Sequence, residues 1–411
     1  MTADWQWQND ALWQACSAAA RQKAEQWCAQ KAVLFEKLRT RVACQPLTQI
    51  ATQPDIVQQI QQQVAVLAAH SSRLMVIGTG GASLGGQALC RMAEKPRSVL
   101  FLENCDPATL TMFFRLEKAA TSWCIISKSG ETVETLASAL ALIAHYAGDA
   151  HFAKRVCVVT ANAKSTLGTL ANAQSWPVLL HPEQLGGRFS AFSVVGLLPA
   201  AFAGLDIAQI AATAKATIDT LLATEEETLL QHSTWLAANS TEKPMHLLMA
   251  YADRLRAATQ WFKQLWAESL GKGGVGITPV TAIGAIDQHS QLQLYLDGPR
   301  DKLVTLWLPQ VAGQGVVLPD VGIEGLDYLA GHHMGDVMHA TSEATATIMA
   351  KAGLPMRVAR GQLTPQSLAS WFARQMLEVL LVSVLLEVDP YSQPAVEEGK
   401  ILTRAALAKR R

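Results

Sequence analysis

Residues 124–136 read CIISKSGETVETL. The apolar run Cys124-Ile125-Ile126 passes directly into Ser127-Lys128-Ser129-Gly130-Glu131-Thr132, and from about Thr132 the apolar residues recur at helical spacing. A buried strand that opens at once into hydroxyls, an ammonium and a glycine, and then into a helix, has the makings of an anion site. The first amides of a helix have no intrahelical acceptor and point outward, and the helix dipole adds positive potential there. The hydroxyls of Ser127, Ser129 and Thr132 are further donors, and Gly130 lets the backbone approach a ligand closely. Ser or Thr before a helix is also an ordinary N-cap, so the turn alone leaves both readings open.

Working outward, the same pattern recurs. Leu74–Ile77, Ser98–Leu102, Trp123–Ile126 and Val156–Thr160 are short apolar runs, separated by longer amphipathic stretches such as Thr132–Ala147. Such alternation predicts a parallel sheet covered by helices on both faces, with a further helix starting near Phe189. A second alternation follows, with strands at Met245–Ala250, Val280–Gly284, Leu303–Leu308 and Met356–Ala359, and helices between them. The expected fold class is α/β: two three-layer αβα domains with mainly parallel sheets, plus N-terminal and C-terminal helical segments. The expected boundaries are a helical arm over 1–53, a first domain over 54–205, a second over 206–388, and a helical segment over 389–411.

Composition narrows the class. Half of the 411 residues are hydrophobic and 17% are charged, as in a globular chain. Lys+Arg and Asp+Glu both number 34, without the basic excess of a nucleic-acid or membrane-surface protein. The start, MTADWQWQND, does not read as a secretory signal. The most apolar segments, near Leu377–Leu386 and Ala191–Leu205, read as too short or interrupted to span a bilayer. The seven cysteines contain no C-x-x-C and read as reduced thiols of a cytoplasmic protein. His332, His333 and His339 do not form H-E-x-x-H, and no metal is expected there.

A second small-residue turn, Gly78-Thr79-Gly80-Gly81-Ala82-Ser83-Leu84-Gly85-Gly86, also follows a strand and opens a helix. It has no Gly-Lys-Ser/Thr and is a poor dinucleotide fingerprint. Two such turns at the C-terminal ends of strands in one sheet suit a small phosphorylated ligand.

The turn S-K-S-G-E-T-V-E-T resembles the phosphate-binding turn of the sugar isomerase (SIS) domain. Gly186–Ala201 (GGRFSAFSVVGLLPAA), Trp261–Lys272 (WFKQLWAESLGK), Asp287–Asp301 (DQHSQLQLYLDGPRD) and Asp389–Lys400 (DPYSQPAVEEGK) resemble segments of the glucose-6-phosphate isomerase family, in the family's order. The resemblance implies aldose–ketose isomerisation of a sugar phosphate through an enediolate, in the cytoplasm, without a cofactor. It implies Glu268 of E-S-L-G-K as the base, His289 and Lys400 in ring opening, and Arg188 against the enediolate oxygens. It further implies Gly80, Gly81, Ser83, Ser127, Lys128, Ser129 and Thr132 as substrate contacts. The family's histidine reaches the partner's site, which implies a homodimer with His289 contributed across the interface. Nucleic acid and membrane are not expected partners. Glucose 6-phosphate and fructose 6-phosphate are the expected pair. Ala82 stands where the family usually carries Ser, and the chain is shorter than most members. Another sugar phosphate, such as mannose 6-phosphate, and a non-catalytic sugar-phosphate sensor therefore remain alternatives.

Overall fold

The structure is a computed structural model and describes residues 5–94 and 96–409. Its strands are β1 (Gln6–Gln8), β2 (Arg73–Ile77), β3 (Ser98–Leu102), β4 (Thr121–Ile126), β5 (Val156–Thr160), β6 (Val178–Leu180), β7 (Met245–Ala250), β8 (Thr278–Ile283), β9 (Lys302–Pro309) and β10 (Met356–Gly361). They form two five-stranded sheets, ordered β3-β2-β4-β5-β6 and β1-β10-β9-β7-β8. Every pairing is parallel except that of β1 with β10. The chain divides into two compact units, each discontinuous in sequence. One comprises Met1–Arg39 with Ala216–Val388, the other Thr40–Lys215 with Asp389–Arg411.

In the second of these units, all six residues of β4 are buried. Side chains alternate between the two faces of a strand, so both faces of this sheet are covered. Around it Met75, Trp123, Ile125, Leu142, Val158 and Leu167 form one apolar core. The expected helix near Phe189 is instead a 3-10 turn, Gly187–Phe192. The α-helix begins only at Val194, where the Ser193 hydroxyl accepts from the Val195 amide.

The unit containing Met1–Arg39 corrects the helical arm at its start. Gln6–Gln8 is not helical but is the antiparallel edge strand of that unit's sheet. Trp5, just before it, and Trp7, within it, explain why. Trp5 meets Trp307 and Trp371 edge-on with ring centroids 5.5 and 5.7 Å apart, and Trp7 stacks on Trp371. Their burial decides the local conformation. Residues 1–4 of the arm and 410–411 of the last segment lie outside the described residues.

The same unit holds the helix Pro365–Leu385, which by length and composition could cross a membrane. Its most apolar stretch, near Leu377–Leu386, reads from the sequence alone as too short for that. The helix runs 21 residues, but it is buried from Ser367 to Leu385 and carries Arg374 and Glu378. A helix surrounded by protein on every side is a core helix. Glu378 forms an ion pair with Arg357, both fully buried, and the second oxygen of the carboxylate accepts from Arg357 Nη2 at 3.0 Å.

Candidate functional site

The Ser127–Thr132 turn lies at the C-terminal end of β4, between two strands of its sheet. The Ser127 amide donates to the Val159 carbonyl, and the Lys128 carbonyl accepts from the Ala161 amide at 3.0 Å and from the Thr160 hydroxyl at 3.2 Å. These bonds tie the turn to the end of β5. Gly130 has φ +68°, and a Cβ there would lie 2.0 Å from Ser165 Oγ and 2.5 Å from Ser165 Cβ. Glycine is required at this position by both backbone and space.

The hydroxyls divide their work. Ser127 is buried. Its oxygen accepts from the Gly130 amide at 3.1 Å and lies 2.9 Å from Thr132 Oγ1, so it organises the turn. Ser129 is exposed; its oxygen accepts from the Glu131 amide at 3.1 Å, which leaves its hydrogen to donate outward. Thr132 is the N-cap of the helix Val133–His145, but its side chain makes no capping bond. The neighbouring helix Thr166–Ala173 differs, because its N-cap Ser165 accepts from the Gly168 amide. The amides opening Val133–His145 are therefore left for another acceptor, such as an anion.

The charges around the turn favour an anion. Lys128 is half-buried. Burial pushes its pKa down; Glu183 opposes this and the Arg188 guanidinium adds to it. A bound anion would relieve both cations. His181, buried nearby, is pushed down to about 4 by burial and by the Lys128 charge, against the Leu185 carbonyl 3.0 Å from its Nε2.

Arg188 is 1% exposed and donates to the Pro390 carbonyl. Its turn packs on the first glycine turn, where a Cβ on Gly81 would lie 2.3 Å from the Gly187 carbonyl carbon. Ser190 Oγ lies 2.9 Å from the Gly81 carbonyl and donates to it. Two glycine turns thus meet backbone to backbone. Gly80, with φ +58°, opens the 3-10 turn Gly80–Ala82. Ser83 is buried. It is 1% exposed, and its hydroxyl accepts from Gln87 Nε2 at 2.7 Å. Gly85 and Gly86 are used for packing, since a Cβ on either would lie under 3 Å from Ala191 or Pro199.

Lys400 is on the last helix, Glu397–Ala408, with its Nζ 2.7 Å from Glu397 Oε1. A cavity of about 460 Å³ lies between this helix and the turn, lined by Ser129, Glu131, Thr132, Lys400, Thr403 and Arg404 among others. Arg404 Nη2 donates to the Glu131 carbonyl at 2.8 Å. Sequence reading missed both Arg404 and Glu131. The available signal was the spacing of Lys400 and Arg404, four residues apart and so on one helix face.

Glu268 and His289 belong to the other unit. Glu268 is in the last turn of the helix Arg256–Leu270, which buries Trp261, Phe262, Leu265 and Trp266. The carboxylate is half-buried and accepts from Gln264 Nε2 at 2.8 Å. Lys272 Nζ donates to the carbonyls of Glu268 and Ser269, both at 2.9 Å. A cation on the last carbonyls of a helix also suits the dipole. His289 is exposed on the helix Ile286–Asp297, beside Asp287, whose carboxylate accepts from the Ile283 amide at 2.7 Å. His333 N-caps the helix Met334–Lys351 in a capping box with Asp336.

The sequence profile described as phosphoglucose isomerase matches residues 56–286. A glucose-6-phosphate isomerase of Rubrobacter xylanophilus is 36% identical over 81% of this chain and 82% of its own length. The chain belongs to the phosphoglucose isomerase family. A probable glucose-6-phosphate isomerase of Haloarcula marismortui is 37% identical over 82% of this chain and 79% of its own. Among solved structures, a hypothetical protein of Thermus thermophilus superposes with a TM-score of 0.90 at 29% identity, covering 98% of this chain and all of its own. A Chlamydia trachomatis glucose-6-phosphate isomerase gives 0.76 at 20% identity over 87% of this chain and 74% of its own, which speaks for the shared fold. The two mainly parallel α/β sheets are the fold class that the alternation of strands and helices in the sequence implies.

Proposed function

We propose that this chain interconverts glucose 6-phosphate and fructose 6-phosphate through an enediolate, as a cytoplasmic enzyme. The observation that carries the reading is the Ser127–Thr132 turn. It is a helix N-terminus left uncapped by Thr132, flanked by the outward hydroxyl of Ser129 and the half-buried Lys128. Fixed donors aimed at one point hold a phosphate group in place while the sugar carbons react. Membership of the family directs that anion site to a sugar phosphate.

In this reading Glu268 takes the proton from the second carbon and returns it to the first. A helix-end carboxylate already held by Gln264 is fixed in orientation, which a proton shuttle needs. Arg188 stays charged and stabilises the enediolate oxygens. Lys400 and a histidine assist ring opening. That histidine is His289 of the partner subunit in a homodimer. Its exposure supports this, together with Ile286 and Leu294, which are 56% and 53% exposed on the same helix.

A second reading, an isomerase of another sugar phosphate, is favoured by one observation. Ala82 offers no hydroxyl and that of Ser83 is buried against Gln87. A sugar hydroxyl that relies on position 82 or 83 would lack a partner. Turnover of glucose 6-phosphate, measured beside mannose 6-phosphate and shorter phosphosugars, separates the two readings. Glu268→Gln should abolish turnover and solvent-proton exchange at the second carbon, by about 10²–10⁴ in rate for loss of a general base. Exchange at the unaltered rate in that variant would remove Glu268 from the mechanism.

A further inference from the structure

We propose that Arg404 is a positioning residue, which ties the last helix to the Ser127–Thr132 turn and thereby fixes the Lys400 ammonium over it. This rests on the reading of Lys400 as a group acting on the sugar ring.

The helix Glu397–Ala408 buries none of its residues, and Ile401, Leu402 and Leu407 are 67%, 61% and 55% exposed. A helix with so little packing is placed by specific ties rather than by a core. Among the described residues, Arg404 is the side chain of this helix that hydrogen-bonds outside it. Its Nη2 lies 2.8 Å from the Glu131 carbonyl oxygen and 3.7 Å from Glu131 Oε2.

Glu131 is a fixed point to hold. It follows Gly130 in the turn, and its carboxylate accepts from the Thr166 amide at 2.8 Å and the Thr166 hydroxyl at 2.9 Å. The Glu131 group is thereby locked to the start of the next helix. Arg404 contacts it chiefly through the main-chain oxygen, so the anchor does not depend on the Glu131 side chain. A guanidinium presents its donors in a rigid fork and reaches such a carbonyl without losing its charge.

Lys400 is one helical turn before Arg404 on the same face, and both line the 460 Å³ cavity with Ser129 and Thr132. The partner of Lys400 within the chain is Glu397, 2.7 Å away, and both side chains are about 60% exposed. An exposed pair of that kind contributes little, so Lys400 exchanges Glu397 for a substrate oxygen at small cost. What Lys400 lacks on its own is a fixed position, and Arg404 supplies it.

The test is steady-state kinetics on Arg404→Met, Arg404→Lys, Lys400→Met and the double variant Lys400→Met/Arg404→Met, in the full chain. Arg404→Met should lower kcat about tenfold, the worth of one charge-assisted hydrogen bond. The inhibition constant of inorganic phosphate should not change, because the donors of the turn are untouched. The thermal midpoint should hold, since the helix buries nothing. Arg404→Lys should recover part of the rate, and Arg404→Met should cost nothing further in the Lys400→Met background. If Arg404→Met costs the same factor in both backgrounds, Arg404 acts independently of Lys400 and the proposal fails. If it weakens phosphate inhibition, Arg404 is a phosphate ligand and the proposal fails as well. An impaired Lys400→Met beside a fully active Arg404→Met overturns this inference alone. A fully active Lys400→Met overturns the reading of Lys400, and this inference with it.

Discussion

Gly130→Ala tests whether the turn is as tightly determined as its geometry implies. Two costs are separable. Gly130 has φ +68°, and an L-residue in the left-handed region costs about 1–2 kcal/mol. The new Cβ would also lie 2.0 Å from Ser165 Oγ and 2.5 Å from Ser165 Cβ. Rotating the Ser165 hydroxyl relieves the first contact but not the second, so backbone must shift, at about 1–3 kcal/mol for overpacking. The expected loss is therefore about 2–5 kcal/mol. Gly148→Ala, in the same unit, is the control. Its φ is +83° but nothing lies within 4 Å of the added carbon, so only the conformational cost applies. Urea unfolding of both variants, with m unchanged, should show Gly130→Ala the less stable by about 1–3 kcal/mol. Inorganic phosphate should compete with substrate less well in Gly130→Ala and normally in Gly148→Ala. Equal losses of stability would refute the argument, because Ser165 would then be yielding without cost.

Ser129→Ala and Thr132→Val should each raise the half-saturating substrate concentration about 10- to 150-fold, the worth of a hydrogen bond to a charged group at about 1.5–3 kcal/mol, with Lys128→Met costing less than either. Lys128→Met as the most damaging of the three would mean that the turn binds by side-chain charge. His181 should shape the acid limb of stability. Its folded pKa is pushed down to about 4 from 6.5, so between these values the unfolded chain binds the proton and the folded one does not. Stability is then full above pH 6.5 and falls as pH drops toward 4, by up to about 3 kcal/mol. His181→Gln should flatten that limb in urea midpoints measured across pH 4 to 7, and an unchanged limb would exclude His181 as its source. Mixing Glu268→Gln with His289→Ala protomers should restore part of the activity through hetero-dimers. No recovery despite proven subunit exchange would place both groups in one chain's site.

The strands legible in the sequence are those buried on both faces. Trp123–Ile126 and Val156–Thr160 announce themselves as continuous apolar runs, because a covered parallel sheet needs no polar alternation. The three-residue strands β1 and β6 carry too little pattern, and β1 is fixed by tryptophans whose partners lie far along the chain. The Ser127–Thr132 turn was legible for the opposite reason: its donors are consecutive residues. The role of Gly81 was not, since what forbids a Cβ there is Gly187 in a distant segment. Ser83 shows the same limit. A serine in a small-residue turn reads as a ligand contact, and only the folded chain shows this one buried against Gln87. Local chemistry is written in spacing; close approach between separated segments is not.

The interleaving of the two units in sequence has a consequence for biosynthesis. The five strands of the sheet β3-β2-β4-β5-β6 all lie within residues 40–215, so they can pair as soon as that stretch has left the ribosome. Gln6–Gln8 emerges earlier but has no partner until Met356–Gly361 follows. Trp5 and Trp7 therefore wait through most of translation with their apolar rings uncovered, and the last sheet contact to close is the one begun first. A nascent chain halted before residue 356 keeps that edge open.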